Sequence, residues 1–160
     1  HAAVLISKAC LAEGVNEQGL VLHSDNGSPM KGATMLAKLQ QLSVIPSFSR
    51  PSVSNDNPYS ESLFRTMKYT PVYPSKPFES LESAREWVGD FVHWYNEEHH
   101  HSGINFVTPA QRHTGEESAI LAHRTLVYQM AKQRNPERWS RHTRNWSPVG
   151  EVWLNPMNQV

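Results

Sequence analysis

Apolar residues occur along the chain in short bursts, and the spacing within each burst predicts its element. Residues 3–12 read as the end of a helix stopped by Gly14. Gly19-Leu20-Val21-Leu22-His23-Ser24 reads as a short buried strand ended by the turn Asp25-Asn26-Gly27. Ala33 to Leu42 predicts a helix with Leu36, Leu39 and Leu42 on its inner face, and Ser43 to Pro46 a second strand. Strand, helix, strand in this order predicts a parallel crossover and an α/β class.

Ser47 to Asp56 is a loop rich in Ser, Pro and Asn, of the kind that often bears function. Asn57 as cap and Pro58 in the first turn open a helix that runs to about Lys68. Pro71, Pro74 and Pro77 then form an extended link. Ser80 caps what reads as the longest helix, with Leu81, Ala84, Val88, Phe91 and Tyr95 as a core-facing stripe widened by Trp87 and Trp94. Further helices are expected from Thr108-Pro109 and over Ser118 to Gln133, and a small hairpin over Trp139 to Asn155.

Composition narrows the function classes. A chain of 160 residues, 38% apolar, can bury a core, although a mean hydropathy of −0.57 keeps that core modest. No apolar run approaches the ~20 residues of a membrane span, and no signal-peptide layout opens the chain. It starts at His1 rather than Met, as a piece of a longer protein would. The single cysteine, Cys10, excludes an internal disulfide and a cysteine zinc cluster, fits a reducing cytoplasm, and reads as a plain buried residue. Formal net charge is zero, yet Arg124, Lys132, Arg134, Arg138, Arg141 and Arg144 face only Glu137 within that segment. Such a basic tail suits phosphates, and equally a solvated helix face.

Two carboxylates stand out. Asp25 follows the end of a predicted parallel strand, where open α/β sheets place ligands, although Asp-Asn-Gly is also an ordinary turn. Glu61 falls in the first turn of the Asn57 helix, where the helix dipole favours an anion. Arg65 and Lys68 lie near the same helical stripe, so a surface helix with an ion pair is the plainer account. Taken together, two acids on different elements, separated by a polar loop, can hold a divalent cation, and magnesium needs few protein oxygens. Lys68 would steady a DNA phosphate.

These residues resemble a known family. His23-Ser24-Asp25-Asn26-Gly27 looks like the second-aspartate motif of DDE transposases, and 35 residues separate Asp25 from Glu61, as in the D,D-35-E group. Ser47-Phe48-Ser49-Arg50, Asp56-Asn57-Pro58 and Glu61-Ser62-Leu63-Phe64 are similar to the stretch around the family glutamate, and Lys68 matches the family lysine. Trp94-Tyr95-Asn96, His101-Ser102, Thr108-Pro109, Asn135 to Trp139 and Thr143 to Trp146 follow in the order seen in insertion-sequence transposases made by fusion of two reading frames. The resemblance covers residues 18–156 and points to the retroviral-integrase superfamily.

It implies a ribonuclease H-like fold, truncated so that the first strands of the sheet are missing and the remainder is helix-rich. Residues 1–115 would be the C-terminal part of the integrase core, and 116–160 a basic helix with a small hairpin. The reaction implied is cleavage and strand transfer at insertion-sequence ends, with water and then a 3′-hydroxyl as nucleophile. Asp25 and Glu61 become catalytic metal ligands for Mg2+ or Mn2+, two ions in the complete site, and Lys68 joins them as a catalytic residue. Arg50, Arg65, Lys68, Arg141 and Arg144 become DNA contacts. The partners implied are transposon ends and target DNA, with a homo-oligomer, no membrane and no small-molecule substrate, in the cytoplasm at the nucleoid.

One departure is plain: Glu13 and Glu17, the acids before residue 20, do not match the family's first aspartate. The chain alone is therefore expected to bind metal weakly and to cleave no DNA, and its exposed strand edges to favour dimers or aggregation. The alternative is a non-catalytic DNA-binding or dimerisation module from a decayed element; a third reading is a ribonuclease H-like nuclease acting on RNA hybrids. His99, His100 and His101 point in different directions on a helix and are poor joint metal ligands. Trp139, Trp146 and Trp153 are expected to pack a small core rather than stack on bases.

Overall fold

The computed structural model describes residues 1–15, 19–51, 53, 56–150 and 152. They divide into two compact units, one built on His1–Thr70 and the other on Pro71–Val152.

The first unit runs α1 (Ala2–Ala12), β1 (Val21–Ser24), α2 (Ser28–Lys31), α3 (Ala33–Gln41), β2 (Ile45–Phe48) and α4 (Pro58–Tyr69). Helix α1 ends in a left-handed Gly14 (φ 59°), with Gly14 N–H donating to Leu11 O and Val15 N–H to Cys10 O. This satisfies carbonyls the helix end would otherwise leave open, and glycine takes the conformation without a Cβ clash. Helix α3 closes in the same way through Ser43 (φ 56°) and Val44, but here a side chain occupies the left-handed position.

The core of this unit is Cys10, Met35, Leu39 and Val44, with Ile6, Val15, Leu22 and Leu42 packed around it. Met35, Leu39 and Leu42 therefore form the inner face of α3, at i, i+4 and i+7. The expected Leu36 is 38% exposed, because the i, i+3 rows drift off the contact line on a helix this short.

β1 and β2 pair in parallel, Val21 against Ile45 through Ser24 against Phe48. The crossover is thus as expected; β1 ends at Ser24 as read but starts two residues later, and β2 starts and ends two residues later than Ser43 to Pro46. β2 starts later because Ser43, left-handed, and Val44 close α3, with Val44 N–H donating to Leu39 O at 2.9 Å. Ile45 N–H donates to Leu20 O and Ser49 N–H to Ser24 O, so donors facing β1 alternate from residue 45. Pro46, which has no N–H, falls on the side turned away from β1 and costs the ladder nothing. The described residues show a helix-rich chain with this one small parallel sheet.

The second unit contains α5 (Leu81–His93), continued by a π-helical turn over Trp94–Glu98, then α6 (Pro109–His113) and α7 (Glu117–Arg134). At 18 residues against 13, α7 rather than α5 is the longest α-helix. Ser80 caps α5 by accepting from Ser83 N–H at 3.0 Å, as expected. The buried stripe of α5 is narrower than its pattern suggests. Only Phe91 is buried, while Leu81 and Val88 are exposed and Trp87 stacks on Phe91 instead. Aromatic rings thus replace the aliphatic positions as the inner face.

The other core of this unit is Val107, Leu121 and Trp146. Arg124 holds its edge, donating to Asn105 O at 2.7 Å and Phe106 O at 2.9 Å. Both residues are left-handed (φ 56° and 59°), a conformation that bulky side chains adopt only where their surroundings enforce it. No strand forms among described residues 139–150, where the hairpin was expected; the tail is instead pinned through Trp146 and through Arg112 to Val149 O at 2.8 Å. The remaining hairpin residues Glu151 and Trp153–Asn155 lie outside the described set, as does Glu17. No helix among the described residues is long and apolar enough to cross a membrane.

Candidate active site

The first unit has an open cleft of about 470 Å³, lined by Asp25, Asn26, Ser49, Arg50, Val53, Asn57, Ser60, Glu61 and Phe64. Asp25 enters it from the residue after β1, and Glu61 from the first turn of α4. Parallel pairing is what makes this possible. It brings the C-terminal ends of both strands to one edge, so the turn after β1 and the loop after β2 lie side by side.

Each carboxylate is held by local chemistry. Asp25 Oδ1 accepts from Gly27 N–H at 3.1 Å, closing a turn on its own side chain. The approach is tight: a Cβ at Gly27 would lie 3.1 Å from that oxygen. Asn26 ties the turn to the other strand end, donating from Nδ2 to Ser49 O at 2.7 Å. On the α4 side, Glu61 N–H bonds Asn57 O at 3.3 Å. Asn57 occupies the cap position, but its Oδ1 accepts from Ser60 Oγ at 2.8 Å instead of from the helix backbone. The first-turn amides beside Glu61 thus lack a side-chain cap and favour the negative charge there.

Arg50 is the single base among the described lining residues, and it is already engaged. Asp56, 6% exposed, accepts from Arg50 N–H at 2.7 Å, from Nε at 3.0 Å and from Nη2 at 2.8 Å. The hydrogen bonds, and then the charge of Asp56, raise the Arg50 pKa further above its ordinary value. With that pair neutral overall, Asp25 and Glu61 leave the cleft with a net negative charge. A phosphate entering alone would be repelled, whereas a divalent cation would be attracted.

The donor set fits a hard cation. The lining offers carboxylate, amide and hydroxyl oxygens and no sulfur or imidazole, which favours Mg2+ or Mn2+ over Zn2+. Among the described residues no group of three His, Cys, Asp or Glu comes together.

The other expected residues are distributed differently. Arg65 lies over the Tyr69 ring at 5.9 Å and forms no ion pair with Glu61 among the described residues. Lys68 is exposed in the last turn of α4; neither it nor Arg65 lines the cleft. Arg141 and Arg144 belong to the second unit. There Arg141 O accepts from Lys132 Nζ at 3.0 Å, and Arg144 lies over Phe106 at 4.7 Å and Trp146 at 5.0 Å. Trp146 is 7% exposed and Trp139 packs edge-on against Tyr128; Trp153 lies outside the described residues. His99 packs on Trp94 and Tyr95, and His101 Nδ1 accepts from Gly103 N–H at 3.1 Å, so both rings have local roles.

The linking parts had escaped the sequence reading: the Arg50–Asp56 clamp, Ser49, Ser60 and the apolar wall of Val53 and Phe64. The signal for the last was Phe64 three residues after Glu61, at one-turn spacing on the same helix.

Residues 42–109 match the family described as the integrase core domain. That stretch includes β2, Arg50, Glu61 and Lys68, and Asp25 lies before it. The chain is 28% identical over 94 residues to the transposase for insertion sequence element IS904 of Lactococcus lactis subsp. lactis (strain IL1403). The match covers 58% of this chain and 37% of that relative, so the chain spans little more than a third of the relative's length. Both matches point the same way: the chain is similar to an integrase core domain and to an insertion-sequence transposase.

Proposed function

We propose that this chain contributes to a ribonuclease H-like transposase core that cleaves and joins DNA strands, with Asp25 and Glu61 as metal ligands. The observation that carries the reading is that both carboxylates line one negatively charged cleft while arising from separate elements. A divalent cation bound there would supply a positive charge for the phosphodiester and lower the pKa of the attacking hydroxyl.

The chain's own residues have separate tasks. Asp25 and Glu61 hold position on the strand end and the helix start, each beside backbone amides. The Arg50–Asp56 clamp fixes the loop between them, so Arg50 orders the cleft first, and its remaining N–H groups would meet DNA second. Lys68 and Arg65, exposed on α4, would attract the phosphate backbone by charge. In the second unit, Arg141 and Arg144 would do the same. Activity is proposed for a core in which a third carboxylate completes the pair. Assembly with a second copy is proposed too, because Val21 and Ile45, at 51% and 54% exposure, leave one face of the small sheet uncovered.

Strand cleavage tests the reading. In a complete core acting on insertion-sequence ends with Mg2+, Asp25→Ala and Glu61→Ala should each abolish nicking and leave the fold intact by circular dichroism. Nicking at the unsubstituted rate by either variant would overturn the assignment.

A further inference from the structure

We propose that Ser49 is the positioning residue for Asp25, a reading that rests on Asp25 being a cation ligand. Ser49 follows the last residue of β2, and its polar groups end on the segment that flanks Asp25. Its N–H donates to Ser24 O at 2.9 Å, and its carbonyl accepts from Asn26 Nδ2 at 2.7 Å. Its hydroxyl lies 3.3 Å from Ser24 O and 3.4 Å from His23 Nε2. The other His23 nitrogen, Nδ1, is 2.9 Å from Ser47 Oγ, so the imidazole bridges two hydroxyls of the neighbouring strand.

A residue that merely ended the sheet would need only the backbone bond. Here the hydroxyl and the Asn26 strut grip the chain on both sides of Asp25, and the carboxylate itself is steered by a single bond from Gly27 N–H. The turn at 25–27 is exposed at Asp25 and Asn26, so polar contacts rather than burial hold it there. Ser49 thus takes the place of a core contact. It joins the Asp25 turn to the loop that starts at Arg50, so the two sides of the cleft share one anchor.

The test uses the full chain, Mn2+ as probe, and the Gly27 amide as a local reporter. Ser49→Ala should speed exchange of that amide roughly fivefold, the effect of one net hydrogen bond, and weaken Mn2+ binding by a similar factor. Ser49→Thr keeps the hydroxyl and should restore both values. Exchange of core amides such as Val44 should stay as in the unsubstituted chain, which separates positioning from general loosening. Unchanged Gly27 exchange and Mn2+ affinity in Ser49→Ala would overturn the proposal. If the unsubstituted chain binds no Mn2+ while Gly27 exchange still responds to Ser49→Ala, the metal reading fails and the positioning of Asp25 is supported.

Discussion

Replacing Leu39 by Ala tests the packing that holds the cleft in place. Leu39 is 1% exposed at the centre of the first unit's core, against Cys10, Met35 and Val44, and its carbonyl receives the Val44 N–H at 2.9 Å just before β2. Truncation removes three buried carbons and leaves a cavity between α3 and α1. The expected cost is about 3 kcal/mol, near the lower end for such sites because a small core can partly collapse. Leu36→Ala, on the exposed side of the same helix, should cost less than about 1 kcal/mol. Leu39→Met, which keeps the volume, should cost below about 1.5 kcal/mol and covers the case in which the alanine variant does not fold. The described tryptophans, Trp87, Trp94, Trp139 and Trp146, all belong to the second unit. Amide hydrogen exchange at Val44 reads the first unit directly. Equal costs for Leu36→Ala and Leu39→Ala would refute the inner face described for α3.

Further outcomes follow from single contacts. Ser43→Gly should stabilise the first unit by about 0.5–1 kcal/mol in chemical denaturation followed by amide exchange, because it removes a side chain from a left-handed cap. Gly27→Ala would crowd Asp25 Oδ1 and should weaken Mn2+ binding, read by titration, with little change in melting temperature. Arg124→Met should cost the second unit about 2 kcal/mol in denaturant, since two carbonyls of a left-handed pair lose their donor. His99 has a pKa lowered from 6.5, first by burial and then by the charges of His101 and His100. The unfolded chain therefore takes up this proton at higher pH than the folded one. The second unit should lose stability as pH falls below about 6.5, seen as an earlier denaturation midpoint by Trp94 fluorescence, and His99→Gln should flatten that dependence.

Much of the first unit was legible because local signals agreed with tertiary demand. The apolar run before Asp25, the helix from Ala33 and the Asn57-Pro58 start each sit within two residues of the observed element. The start of β2 shifted because Ser43 and Val44 close α3 instead, a hydrogen-bonded cap that is invisible to a hydropathy pattern. The α5 stripe is narrower than its pattern, at Leu81 and Val88, because aliphatic and aromatic positions carry the same apolar label. Only packing shows that Trp87 and Phe91 meet while Leu81 and Val88 face outward. At the cleft, the acids could be named from spacing and resemblance. The Arg50–Asp56 clamp could not, because an ion pair within a loop has no period.

The most direct measurement is paramagnetic broadening of amide resonances on adding Mn2+ to the full chain. The account expects broadening on both sides of the cleft, at Asn26 and at Glu61, with Asp25→Asn and Glu61→Gln each abolishing both. Broadening confined to one side, or persisting in both variants, would contradict a cation shared by these two carboxylates.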